Sequence, residues 1–92
     1  MIEFSVVIFA KPHQEETLLD ALTPLVKASR IEQGAIMYDL HSCEDGVFVI
    51  TEKWESQAAL DAHEATPHFK GFQDKAGALV EKVLRLPLVK IG

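Results

Sequence analysis

Thr66-Pro67 divides the second half of the chain. Thr caps a helix through its hydroxyl and Pro suits the first helical position, so the pair ends one helix and starts another. The spacing predicts a short helix from Ser56 to about Ala65 and a second from Thr66 to about Leu79, after a strand that ends near Trp54. The stretch Glu52 to Phe72 reads E-K-W-E-S-Q-A-A-L-D-A-H-E-A-T-P-H-F-K-G-F and brings a strand end to two helix starts. It carries the only tryptophan, two of the four histidines and a carboxylate just before that tryptophan. Such a junction is a common place for a pocket.

The rest of the chain supplies strands and one long helix. Ile2 to Ala10 (I-E-F-S-V-V-I-F-A) is rich in β-branched and aromatic residues with partial alternation, which predicts a strand. Lys11-Pro12 ends it, and Gln14-Glu15-Glu16 opens a helix with acids in its first turn, where the helix dipole favours them. Leu18, Leu19, Leu22, Leu25, Val26 and Ser29 fall along one face of that helix, and Pro24 within it predicts a kink or the loss of one backbone bond. Ala35 to Cys43 and Val47 to Trp54 flank Glu44-Asp45-Gly46, a hairpin pattern. A two-residue Asp-Gly turn would set Asp39 opposite Glu52, an unfavourable like-charge pair. A three-residue loop with Gly46 left-handed instead sets Tyr38 opposite Glu52 and Ile36 opposite Trp54, and is preferred. It places Ile36, Tyr38, Leu40, Phe48, Ile50, Glu52 and Trp54 on one face. Val83 to Ile91 is the last strand, and Pro87 within it implies an edge or a bulge.

The order β-α-β-β-α-β over residues 1–92 is one α+β domain of the ferredoxin-like, split βαβ type, with a four-stranded antiparallel sheet and helices on one face only. The uncovered face presents Val, Thr and Leu side chains. Two such sheets can cover each other, and a 92-residue chain has a small core, so a homodimer is expected. The net charge of −5 and the scattered basic residues exclude a nucleic-acid reading, which needs clustered Lys and Arg. No apolar run reaches membrane-span length, and no stretch has the pattern of a signal peptide. One cysteine, Cys43, excludes an internal disulfide and fits the cytoplasm; it reads as a small apolar residue near a turn rather than a nucleophile.

Three residues carry the candidate chemistry. Glu52 faces the apolar side of its strand, where desolvation raises a carboxyl pKa toward that of a base working near neutrality; the alternative is a structural carboxylate bonded to Tyr38 or a helix start. His63 shares a helix face with Leu60, which fits a base or a satisfied core histidine. His68, at the second position of its helix, lies near the positive end of the dipole, which disfavours the imidazolium; the alternative is a residue packing over the loop. Trp54, Tyr38, Phe69 and Phe72 are core residues that can also wall a pocket for a flat aromatic ligand. His41 and His13 read as surface residues, and Ser5 lacks a base for a hydrolase triad. His63-Glu64-Ala65-Thr66-Pro67-His68 resembles the H-E-x-x-H zinc motif with one residue too many, and Pro67 breaks the helix that would align both rings. No metal is expected.

The segments E-K-W-E-S, A-L-D-A-H and T-P-H-F-K-G-F, with the Gly34 loop before Tyr38-Asp39-Leu40, resemble the antibiotic biosynthesis monooxygenase domain family over essentially the whole chain. That family includes quinol and anthrone monooxygenases that use no metal or flavin, and an enzyme acting on phosphorylated autoinducer-2. The resemblance implies a dimeric α+β barrel with one pocket per subunit between sheet and helices, and His63 in the position of the family's histidine. Haem-degrading relatives share the W-E-S segment. They carry an asparagine on the first strand, a tryptophan at the position of His63 and the haem-ligating histidine at the position of Gln73. This chain has no asparagine and differs at both other positions, which argues against haem degradation. The expected activity is a cofactor-independent oxygenase: His63 or Glu52 deprotonates a small aromatic or quinone-like substrate, which then reacts with O2. Proton shuffling on a small carbonyl compound, with Lys53 and Lys70 as the only nearby basic groups for a phosphate, and a ligand-binding module without chemistry are the alternatives.

Overall fold

The computed structural model describes Met1–Gly92. Strand β1 (Ile2–Ala10) is followed by helix α1 (Glu15–Arg30), strands β2 (Ala35–Ser42) and β3 (Val47–Trp54), helices α2 (Gln57–Glu64) and α3 (Pro67–Leu79), and strand β4 (Val80–Pro87). The four strands form one antiparallel sheet in the order β2-β3-β1-β4. Both predicted halves of the Ser56–Leu79 region form as separate helices. Ser56 Oγ accepts from Ala59 N–H at the start of α2, and Thr66 Oγ1 accepts from Phe69 N–H at the start of α3, with Pro67 in the first turn. Helix α1 buries Leu18, Leu22, Leu25, Val26 and Ser29; Leu19, expected on the same face, is exposed at its border. The helix continues through Pro24, which lies on the solvent side, where the carbonyl it leaves unpaired can be hydrated.

The hairpin adopts the three-residue loop. Cys43 N–H donates to Val47 O at 2.8 Å, Gly46 is left-handed at φ 73°, and Asp45 also has a positive φ of 55°. Tyr38 stands opposite Glu52, as the charge argument required. One part of the expected register is corrected. Ala35, not Ile36, stands opposite Trp54, because the ladder is irregular between Ala35 and Met37. The extra residue turns Ile36 outward, 47% exposed, and Trp54 keeps its place in the core.

The last strand also begins earlier than its pattern suggests and ends before Ile91. Val80 takes up extended geometry directly after Leu79 and pairs with Ala10, so α3 runs into β4 without a loop. The ladder ends at Pro87, opposite Phe4, followed by one further bond from Leu88 N–H to Glu3 O. Strand β4 lies at the sheet edge, the position that Pro87 tolerates. The core consists of Phe4, Ile8, Phe48, Ile50, Tyr38 and Trp54 from the sheet under Leu18, Leu22, Leu25, Val26, Leu60 and Leu79 from the helices. On the opposite face, Val7 lies between Val49 and Leu84, and Ser5 between Thr51 and Leu86; Leu84 and Leu86 are exposed.

Thr66 holds two elements at once, since its hydroxyl caps α3 and donates to His63 O at 2.7 Å. Thr66→Ala is expected to lower unfolding stability by about 1–2 kcal/mol, the upper part of the range for a lost cap. Urea denaturation followed by circular dichroism measures it.

Candidate functional site

The Thr66 turn and the Gly34 loop bring the site together. Thr66 N–H and Oγ1–H both donate to the carbonyl of His63, which fixes the last turn of α2 against the first turn of α3. Gly34, at φ 86°, lies against α2 so closely that a Cβ there would fall 2.6 Å from Ala59 Cβ. Its carbonyl accepts from Glu55 N–H at 2.8 Å. This close approach carries the α1–β2 loop, and Glu32 in it, to the His63 side of α2.

Three elements thereby converge on one carboxylate oxygen. Glu32 Oε2 lies 2.7 Å from His63 Nδ1 and 2.8 Å from His68 Nε2. The side chains grade inward, 27% exposed at His68, 13% at Glu32 and 1% at His63. His63 Nε2 is buried without a hydrogen-bond partner. Aromatic rings enclose that imidazole: Trp54 lies 4.6 Å away between ring centroids, Phe69 5.0 Å and Tyr38 5.4 Å. The sequence reading argued against a zinc site of the two histidines because Pro67 breaks the helix between them. Pro67 does break the helix, yet the break folds α3 back so that both rings reach the same carboxylate. Their ligand atoms and Glu32 Oε2 lie within 4.8 Å of one another, a donor set of two imidazoles and a carboxylate suited to a first-row divalent ion.

Glu52 is buried on the helix-covered face of β3 and accepts from Trp54 Nε1–H through Oε1 at 3.0 Å. The sequence had suggested Tyr38 or a helix start as its partner; the indole two residues along the same strand takes that role. Burial pushes the Glu52 carboxyl up from 4.5 to about 7, against the smaller opposing effects of the Trp54 hydrogen bond and the Arg85 charge. Arg85 stacks over the Phe4 ring at 4.0 Å and contacts Glu64 at 3.2 Å. Burial, followed by the nearby Glu52 charge, raises the Tyr38 phenol above its ordinary value. An acid poised near neutrality and an imidazole with a bare nitrogen thus share one aromatic interior.

The expected pocket between sheet and helices is filled. Neither His63, Glu52, Trp54 nor Phe69 lines any surface cleft. His68 and Phe72 line a cleft of about 330 Å³ between α1 and α3, with Pro24, Leu25 and Lys75. Tyr38 lines another of about 280 Å³ beside Arg30 and Asp39. His41, His13 and Cys43 are exposed, as their positions near turns implied. Glu32 escaped the sequence reading because a lone acid in a short loop, 31 positions from His63, has no local signature. The one pointer to it is its place two residues before Gly34, whose left-handed geometry permits the close packing.

Residues 1–75 match the family model described as antibiotic biosynthesis monooxygenase. YcnE of Bacillus subtilis strain 168, provisionally named a monooxygenase, is 38% identical over 86 residues, covering 91% of this chain and 90% of its own. YgiN of Escherichia coli K12, provisionally named a quinol monooxygenase, is 31% identical over 85 residues, covering 80% of this chain and 82% of its own. The crystal structure of PA3566 from Pseudomonas aeruginosa matches with a TM-score of 0.92 at 34% identity, over 99% of this chain and 94% of that one.

Glu52 generates a prediction about pH. Between about 4.5 and about 7 the folded chain retains a proton that the unfolded chain releases, so stability falls as pH rises through this window. The loss approaches about 3 kcal/mol if the full shift is expressed. Glu52→Gln keeps an oxygen acceptor for the indole and removes the titration. The variant is expected to lose this pH dependence and to exceed wild-type stability above pH 7, as urea midpoints at about pH 5 and about pH 8 would reveal.

Proposed function

Because the chain belongs to the antibiotic biosynthesis monooxygenase family, we propose that it is a monooxygenase working without metal or flavin on a small aromatic, quinol- or anthrone-like substrate and O2. The observation that carries this reading is His63 Nε2, an unpartnered ring nitrogen in an aromatic cage whose other ring nitrogen is already held. A buried polar atom without a partner is uncommon and asks for a reason, and a substrate proton supplies one. Glu52, poised near neutrality on the same face, is the second proton-transfer group.

For an anthrone, His63 Nε2 takes a proton from the activated ring CH2. The resulting carbanion, conjugated with the carbonyl, transfers one electron to O2. The substrate radical and superoxide combine into a peroxide anion, which regains a proton. Loss of water then leaves a carbonyl at the former CH2, so one oxygen atom stays on the substrate and the other departs as water. All four electrons that reduce O2 come from the substrate. The protein contributes deprotonation, orientation and exclusion of solvent.

Phe69, half-buried, is the most exposed wall of the cage, since Trp54 and Tyr38 are buried. His68, which shares the Glu32 carboxylate with His63, and Phe72 line the neighbouring α1–α3 cleft. The same reading includes a homodimer through the uncovered sheet face, supported by exposed Leu84 and Leu86 beside Val7 and Val49. No helix is long and apolar enough to cross a membrane, and the proposed place of action is the cytoplasm.

Oxygen consumption by the purified, chelator-treated protein against hydroquinones, naphthohydroquinones and anthrones tests the activity, with correction for spontaneous oxidation. Enzyme-dependent uptake is expected, and His63→Ala should reduce it roughly 10²- to 10⁴-fold, the range for loss of a general base. Uptake that is absent, or unchanged in the variant, would count against the oxygenase and favour proton shuffling on a carbonyl compound or simple ligand binding.

A further inference from the structure

We infer that Glu32 is a positioning residue that fixes the proton of His63 on Nδ1 and thereby keeps Nε2 free as the acceptor. The inference rests on the reading of His63 as the base. A carboxylate ionised at neutral pH only accepts hydrogen bonds, whereas a neutral imidazole has one donor and one acceptor nitrogen. Glu32 Oε2 contacts one nitrogen from each histidine, at 2.7 and 2.8 Å. Both of those nitrogens therefore carry hydrogen: Nδ1 of His63 and Nε2 of His68. With its single proton committed to Nδ1, neutral His63 has a bare lone pair at Nε2, the atom that lacks any partner.

The opposite tautomer would be penalised at Glu32. It would place a lone pair against the Glu32 carboxylate, whereas Nε2 lacks a hydrogen-bond partner in either tautomer. His68 acts one step further out. Its Nε2–H holds the carboxylate from the cleft side, so that Glu32 cannot rotate away from His63.

Long-range 1H–15N correlation spectra of the chelator-treated protein at neutral pH read the ring protonation directly. The expected wild-type pattern for His63 is a neutral ring with the proton on Nδ1. A proton on Nε2, or on both nitrogens, would overturn the inference without any variant being made. Glu32→Ala should abolish the Nδ1–H preference. Glu32→Gln, which keeps an oxygen acceptor without the charge, should restore part of it. A His63 pattern unaffected by Glu32→Ala would also defeat the claim. In the oxygen-uptake assay Glu32→Ala is expected to lower kcat roughly ten- to a hundredfold with KM within about twofold, because the residue orients the base and does not touch substrate. An unchanged kcat would refute the positioning role. If the wild type shows no uptake, the oxygenase reading fails, while the spectra still decide whether Glu32 sets the tautomer.

Discussion

The pairing of Tyr38 with Glu52 across the β2–β3 hairpin decides which residues meet in the interior. Side chains alternate along a strand, so a slip of one residue would send Glu52 and Trp54 to the uncovered face and leave His63 facing a different wall. Two local features hold the register. The Glu44-Asp45-Gly46 loop closes it at one end through its left-handed residues. The irregularity between Ala35 and Met37 absorbs the mismatch at the other, turning out Ile36 while Trp54 stays packed against His63. The bulge therefore serves the site: a regular ladder would have brought Ile36 opposite the indole and crowded the same interior.

The second constraint is close approach of backbone. His63 and Glu32 lie far apart in sequence and meet because Gly34 allows its loop to lie against Ala59 with no room for a side chain. His68 joins them because Thr66 ties the end of α2 to the start of α3. Neither residue has a chemical role, yet each sets a distance in the cluster. The arrangement places a carboxylate between two imidazoles from three different elements. A shift of any one element by an ångström would break a hydrogen bond that a displaced side chain could not remake in the apolar interior.

Much of this was legible before the structure. Strand and helix order followed from periodicity, the two helix starts from Ser56 and Thr66-Pro67, and the hairpin register from the cost of facing Asp39 with Glu52. Burial of Glu52 and His63 followed from their faces. The misses share a physical origin. Ile36 and the start of β4 depend on irregular geometry, a bulge and a loop-free helix-to-strand junction, which periodic patterns do not encode. Glu32 depends on tertiary proximity alone. The aromatic residues were read as core that could also wall a pocket, and only their three-dimensional fit decides between the two.

That packing bears on how so small a chain tolerates its polar interior. Glu52, His63 and Ser29 are buried in a core with few residues to spare. Ser29 is satisfied by Leu25 O at 2.7 Å and Glu52 by the Trp54 indole, leaving His63 Nε2 as the unmatched atom. An unpaired buried acceptor costs on the order of 1–3 kcal/mol, a large share of the stability of a domain this size. The exposed apolar residues of β4 and of the opposite sheet face add no compensation while they face water. In the proposed homodimer they would be buried, and Leu84 and Leu86, each less than half exposed, would together contribute roughly as much as the unpaired atom costs. The dimer face and the site lie on opposite sides of one sheet. Association there can offset the cost of the unpaired nitrogen without filling the interior, so the lone pair of His63 stays free for a substrate proton.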